Sequence, residues 1–228
     1  MGRIEPTLRS QKASAPPRSR RCSVALVMAP VVLLGGCEPK ETKILLEPSQ
    51  ALGYVLAQEA AQVAASKKQI ALIEPDANWG PVSTAETAFK SALAKQGYST
   101  LVAKAANLGD PMRRGPVGLK AEDFFEALQK AGGAGAIVSF AGAPCLARGD
   151  VARLPATHPP ILVVATATLG NVPGVRSELV ALGQLLDTRI IQLAVIDGST
   201  EPASTGATKA DLAQQVFSQN YRILRRPD

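Results

Sequence analysis

Five short, nearly continuous apolar runs punctuate the second two-thirds of this chain: Gln69–Ile73, Thr100–Ala103, Ala136–Phe140, Ile161–Ala165 and Ile190–Ile196. A strand with one wet face alternates apolar and polar residues. A continuous apolar run such as Gln69–Ile73 suits a strand covered on both faces, as in a parallel sheet flanked by helices. The intervening segments carry the other period. Leu52, Val55, Leu56, Ala60, Val63 and Ala64 recur at helical spacing over residues 49–66, with Ser49 placed to cap. Ser83 and Glu86 have capping-box spacing before the stripe Ala85, Ala88, Phe89, Ala92 and Leu93, and Gly97 is a natural stop. Further helices are expected over 120–131 and 175–186, and from Thr208 to about Asn220. Tyr221–Leu224 reads as a final edge strand.

Strands alternating with helices define βαβ units and a parallel sheet. The expected fold is α/β: a three-layer αβα sandwich with a mostly parallel five- or six-stranded sheet, order 2-1-3-4-5, and right-handed crossovers. With 46% hydrophobic residues, the chain is too apolar for a disordered or low-complexity one. A single histidine excludes a His-rich metal centre, and three cysteines are too few for a disulfide scaffold.

The net charge of +6 invites a nucleic-acid reading, but its distribution argues against one. Residues 1–36 hold six of the 25 bases and one of the 19 acids, which leaves the remainder near neutral. This leader has a basic region ending Arg18-Ser19-Arg20-Arg21, an apolar run from Val24 to Leu34, then Leu34-Gly35-Gly36-Cys37. A run of about eleven residues is too short to span a bilayer as a helix and suits a signal peptide. Leu34-Gly35-Gly36-Cys37 resembles the lipobox of bacterial lipoproteins. The resemblance implies cleavage before Cys37, a diacylglyceryl group on its thiol, and a membrane anchor made of acyl chains. The expected division is therefore a signal peptide over 1–36, a tether over 37–48 after lipidated Cys37, and one α/β domain over 49–228. Glu38 leans towards the outer rather than the inner membrane, because an Asp there retains enteric lipoproteins in the inner one. With Cys22 removed and Cys37 acylated, Cys145 stands alone in the mature domain and forms no internal disulfide.

The body also carries a resemblance. Lys68–Ile73 with the helix ending Leu93-Ala94-Lys95-Gln96-Gly97-Tyr98, then Gly135–Phe140, then Pro160–Thr166 look like the strand and helix units of one lobe of a type I periplasmic solute-binding protein. The resemblance implies ligand recognition at the cleft-facing strand ends. A complete protein of that family has two lobes, closing by hinge motion. This chain has one, so enclosure of a solute requires a second lobe from a dimer or a partner.

In open parallel sheets ligands sit outside the carboxyl ends of the strands. Those ends carry Asp76, Asn78 and Trp79, then Cys145, then Thr166 and Thr168, then Asp197 and Ser199. Asp76 or Asn78 can hydrogen-bond a polar solute beside a Trp79 wall; the same residues can instead shape a turn and cover a helix. A Cys145–His158 dyad requires the histidine, which precedes a strand, to return to the opposite end of the sheet. Gly132-Gly133-Ala134-Gly135 precedes a strand, whereas a phosphate-binding loop follows one. No Gly-x-Ser-x-Gly elbow is present. The chain thus reads as a periplasm-facing, lipid-anchored binding or interaction module, without cofactor, metal or nucleic acid. Its expected partners are the membrane, a small solute, and an envelope protein or a second copy. The alternatives are a structural subunit of an envelope assembly and, more distantly, a hydrolase.

Overall fold

The computed structural model describes residues 40–76, 80–109, 118–166, 180–199 and 209–225. The unit containing the sheet runs from Glu38 to Asp228. Its elements, in order, are α1 (Lys40–Ala64), β1 (Gln69–Pro75), α2 (Gly80–Lys95), β2 (Ser99–Ala106), β3 (Leu119–Lys120) and α3 (Ala121–Lys130). Then follow β4 (Ala136–Ser139), β5 (Pro144–Cys145), α4 (Arg148–Val151), β6 (Ile161–Ala165), α5 (Leu182–Asp187), β7 (Leu193–Asp197), α6 (Lys209–Asn220) and β8 (Tyr221–Arg225).

The main sheet has the order β2-β1-β4-β6-β7-β8. Every pair is parallel except β7–β8, where Asp197 faces Tyr221 and Leu193 faces Arg225. This is the expected α/β sandwich, with the sixth strand at an edge. The apolar runs divide between its two faces by the period of two. Ile70 and Leu72 of β1, Val138 of β4, Leu162 of β6 and Val195 of β7 pack under α1, α2 and α6. Ala71, Ile73, Ile137, Val163 and Ala194 point the other way, into the layer with Phe124, Leu128 and Leu185. Phe89 and Phe140 meet edge to face at 5.4 Å between ring centroids, both fully buried. Each such ring contributes about 2–3 kcal/mol by leaving water.

The two long helices touch backbone to backbone. A Cβ built on Gly53 of α1 would lie 2.2 Å from the Ala85 carbonyl oxygen and 2.8 Å from the Ala88 Cβ of α2. Only glycine allows this approach. At the end of α2, the Tyr98 N–H donates to Leu93 O (3.0 Å) and the Gly97 N–H to Ala94 O (3.1 Å), with Gly97 left-handed at φ 75°. This is a Schellman motif, and it turns the chain directly into β2.

Several boundaries differ from expectation. Helix α1 begins at Lys40, so residues 40–48, expected to form a tether, are helical and Ser49 lies inside the helix rather than at its cap. Lys, Glu and Leu are strong helix formers. Pro48 lies inside this helix, where proline removes its own bond to the preceding turn and crowds the carbonyl there. Helix α2 begins at Gly80, so Ser83 and Glu86 make no capping box; Glu86 instead receives Lys90. The strand expected from Ile190 begins at Leu193, and the helix expected over 175–186 is α5 over Leu182–Asp187 within the described residues. A two-stranded sheet of β3 and β5, pairing Leu119 with Pro144 and Lys120 with Cys145, was not expected at all.

Candidate functional site

The strand order carries Asp76, Thr166 and Asp197, among the described candidates, to one end of the sheet. Asp76 follows β1, and its N–H donates to Ala106 O at 2.9 Å, which closes the end of β2 onto β1 and leaves the residue exposed. Thr166 follows β6 and is 2% exposed. Asp197 ends β7, with Ser199 two residues on, and both are exposed. Adjacent strands lie about 4.8 Å apart, so Asp76 and Asp197, three strand spacings from each other, stand about 14 Å apart. No single small solute bridges them. A ligand must choose between the β1 side and the β6–β7 side of the rim. Asn78, Trp79 and Thr168, like Cys37, lie outside the described residues.

The topological switch point lies between β1 and β4, where successive units depart to opposite sides. Its β4 side is closed by the chain itself. Phe140, Ala141, Gly142 and Ala143 are all buried, and the Phe140 N–H donates to Ile73 O at 2.9 Å. Ser139 Oγ donates to Gly142 O at 2.6 Å, which consumes that hydroxyl in holding the loop. Cys145 is half-buried in β5 just beyond.

Two charge groups flank the β1 end. Lys90 Nζ sits 2.7 Å from Glu74 Oε1 and 2.5 Å from Glu86 Oε1, locking α2 to the end of β1. Burial raises the Glu86 carboxyl above its ordinary 4.5 despite the Lys90 hydrogen bond, and the Glu74 charge adds to the rise. Burial opposes the charge on Lys90, but its hydrogen bonds to the two carboxylates prevail and raise it above 10.5. On the other face, Lys104 bridges Asp123 (2.8 Å) and Glu126 (2.5 Å), and Glu126 also holds Lys130 at 2.7 Å. These hydrogen bonds push Lys104 up to about 12 and bring Glu126 down to about 2. At the β7 end, burial raises the Tyr221 phenol above 10 against a hydrogen bond to Ser49 of α1, and the Asp197 charge raises it further.

A concavity lies at the opposite, amino-terminal end of the sheet. It is a cleft of about 860 Å³ between the ends of α1 and α3 and the segment leading into β6. Its wall holds Lys67, Phe125, Arg153, Pro155, His158 and Pro160, and among the described residues no carboxylate lines it. Arg153 lies over the Phe125 ring at 4.6 Å and pairs with Asp150 at 3.1 Å. Lys67 Nζ donates to Ala134 O at 3.3 Å. His158 Nδ1 is 2.9 Å from Pro159 O, so Nδ1–H is the donor and Nε2 the open nitrogen. Sequence reasoning missed this cleft because three connectors, far apart in the chain, build it. His158 belongs to this end and Cys145 to the other, which separates the candidate dyad. Among the described residues, no three His, Cys, Asp or Glu side chains are grouped to hold a metal.

No family model matches the sequence. No curated protein matches it either. Solved structures do resemble it. A protein described as a LacI transcriptional regulator from Bacteroides fragilis aligns at 7% identity and TM-score 0.42, over 75% of this chain and 50% of its own. An ABC transporter solute-binding protein from Burkholderia graminis C4D1M, in complex with D-arabinose, aligns at 13% identity and TM-score 0.43, over 65% and 47%. An ABC transporter substrate-binding protein from Desulfitobacterium hafniense aligns at 10% identity and TM-score 0.33, over 75% and 41%. The chain spans half or less of the length of each. The similarity is to part of such molecules, and concerns fold alone.

Proposed function

We propose that this protein is a lipid-anchored, periplasm-facing module that recognises a small polar ligand at the carboxyl rim of its sheet, and is not an enzyme. The observation that supports this reading is the strand order, in which Asp76 follows β1, Thr166 follows β6 and Asp197 ends β7, all at the carboxyl ends of parallel strands. Asn78, Trp79 and Thr168 follow the same strands in sequence. The sequence Leu34-Gly35-Gly36-Cys37 supports the anchor. With Asp76 exposed beside the Glu74–Lys90–Glu86 group, the β1 side is the polar end of the rim. The separation of Cys145 from His158 leaves no thiol–imidazole pair to serve a hydrolase.

A second reading is a structural subunit of an envelope assembly. It draws on the burial of Thr166 and of residues 140–143, which leaves little of the rim's centre open.

Native mass spectrometry of the full-length protein, solubilised gently from the envelope, separates the two. A bound small molecule lost on Trp79→Ala or Asp76→Ala, but kept on Arg153→Ala in the distant cleft, is the expected result. A ligand-free protein sinks ligand recognition and favours the assembly subunit. The anchor has its own test. An alkyne analogue of palmitate should label the protein and fail to label Cys37→Ala; equal labelling of both would remove Cys37 from the reading.

A further inference from the structure

The two edges of the main sheet are managed differently. β8 carries two arginines among its five residues, with Arg222 and Arg225 exposed and Arg225 paired to Glu59 of α1 at 2.7 Å. Charged side chains of this kind keep an edge from recruiting another strand. β2 has no such guard over its first half. Ser99, Thr100, Leu101 and Val102 are uncharged and all exposed, Leu101 at 37% and Val102 at 49%. Successive strand residues point to opposite faces, so the helical layers stop short of this edge on both sides. The regular stretch then ends abruptly. Leu72 pairs with Val102 and Ile73 with Lys104, which leaves Ala103 as a bulge, and Lys104 is the first charge on the strand.

The backbone direction fixes which groups are offered. The Ser99 N–H donates to Lys68 O at 2.8 Å, so Ser99 turns its polar groups towards β1. By alternation Leu101 does the same, and Thr100 and Val102 turn their N–H and C=O groups outward.

We propose that this edge is a homodimer interface, in which β2 pairs antiparallel with β2 of a second copy about a two-fold axis through Leu101. In that register Thr100 faces Val102 of the second copy and Val102 faces its Thr100. Both are hydrogen-bonded pairs, making roughly four inter-chain bonds from the outward-facing groups. Leu101 meets its own counterpart in the closer, non-hydrogen-bonded spacing. Lys104 falls opposite Tyr98 of the second copy rather than opposite another lysine. The alternative centred on Val102 sets Thr100 against Lys104, beyond the bulge, and the one centred on Thr100 draws on a single mutual pair within the regular stretch. A second copy is the occupant that fits: the uncharged window is self-complementary, and its length matches the paired segment that the bulge allows. The proposal stands apart from ligand recognition at the rim.

The test uses full-length protein in isolated envelopes. Under mild oxidation, Leu101→Cys should trap most of the chain as a disulfide dimer on a non-reducing gel, because Cβ atoms in such a pair lie within bridging distance. Thr100→Cys is the register control. Its two copies would stand two residues out of step, too far to bridge, and should show only the background of the native cysteines. In purified full-length protein, Val102→Lys should shift sedimentation from dimer to monomer with an unchanged circular-dichroism spectrum, since this half-exposed side chain is not needed for the fold. Equal trapping at positions 100 and 101, a dimer indifferent to Val102→Lys, or a native chain that is monomeric at every concentration would each overturn the proposal.

Discussion

At position 53 there is no room for a methyl group. Gly53→Ala drives a Cβ to 2.2 Å from the Ala85 carbonyl, and the nearest atoms are backbone, which cannot swing aside. The helices must separate, at a cost of about 2–3 kcal/mol, typical of overpacking; urea unfolding should show the lowered midpoint. Ala65 presents the converse case. It sits just past the end of α1 with φ 50°, a left-handed conformation that an L side chain adopts at a cost of about 1 kcal/mol. Ala65→Gly should therefore stabilise the protein by about 0.5 kcal/mol, after allowance for the greater freedom of glycine in the unfolded chain. Not every such residue was readable beforehand. Gly97 was, because a glycine after a helical stripe has one usual job. Gly53 was not, because its partner helix lies some thirty residues away.

At the scale of elements, the Glu74–Lys90–Glu86 group joins β1 to α2. Lys90→Met leaves two carboxylates side by side and should lower stability by about 1–2 kcal/mol at neutral pH, a figure moderated by partial exposure. The pH dependence has a definite sign. Glu86 binds its proton more tightly in the folded state than its ordinary 4.5, so folding takes up protons and stability falls as pH rises through the window above 4.5. The deficit of Lys90→Met should thus shrink as the pH is lowered towards 4.5, and a deficit constant with pH would dissociate Lys90 from the carboxylates. Glu126, in its pair with Lys104, behaves oppositely. The contribution of Glu126 is present above 4.5 and lost only as pH falls towards about 2, and that of Lys104 is complete below 10.5 and lost as pH rises through about 12. Side-chain NMR titration should find Glu126 still ionised at pH 3.5, where an ordinary glutamate is mostly protonated.

The elements themselves were legible wherever burial was two-sided. The runs at Ile70–Ile73, Ile137–Val138 and Ile161–Ala165 gave both the strands and the sheet class, and each is covered on both faces; the run Thr100–Ala103 reads alike but forms an edge, where Leu101 and Val102 are exposed. Helix starts were misread because capping residues are common inside helices: Ser49 and Ser83 are both interior. The β3–β5 pair was invisible, because two-residue strands such as Leu119-Lys120 and Pro144-Cys145 have no period to detect.

For the whole molecule, the described polar residues of the carboxyl rim were anticipated, and their spacing was not. Only the order β1-β4-β6-β7 reveals that Asp76 and Asp197 are too far apart to share one small ligand. The amino-end cleft was hidden for the complementary reason: Lys67, Arg153 and His158 converge through three separate connectors. Closure of the sheet at β8 invites a truncation. Removing residues 221–228 strips the antiparallel partner from Leu193–Asp197 and takes Tyr221 from beneath α1. The shortened chain should lose its cooperative thermal transition, and a sharp transition near the native midpoint would show that β8 is dispensable.

Helix α1 has a direction that bears on how the domain carries load. Its Ser49 is bonded to Tyr221, beside the carboxyl end of β7, whereas Ala64 packs on Gly135, just ahead of β4. The chain therefore enters the domain at the carboxyl-rim end and runs down its whole height before reaching β1. A pull applied to α1 along its own axis drags it lengthwise past α2 and α6. The contact at Gly53 is then loaded in shear, with the packed side chains along the helix resisting together rather than peeling off one after another.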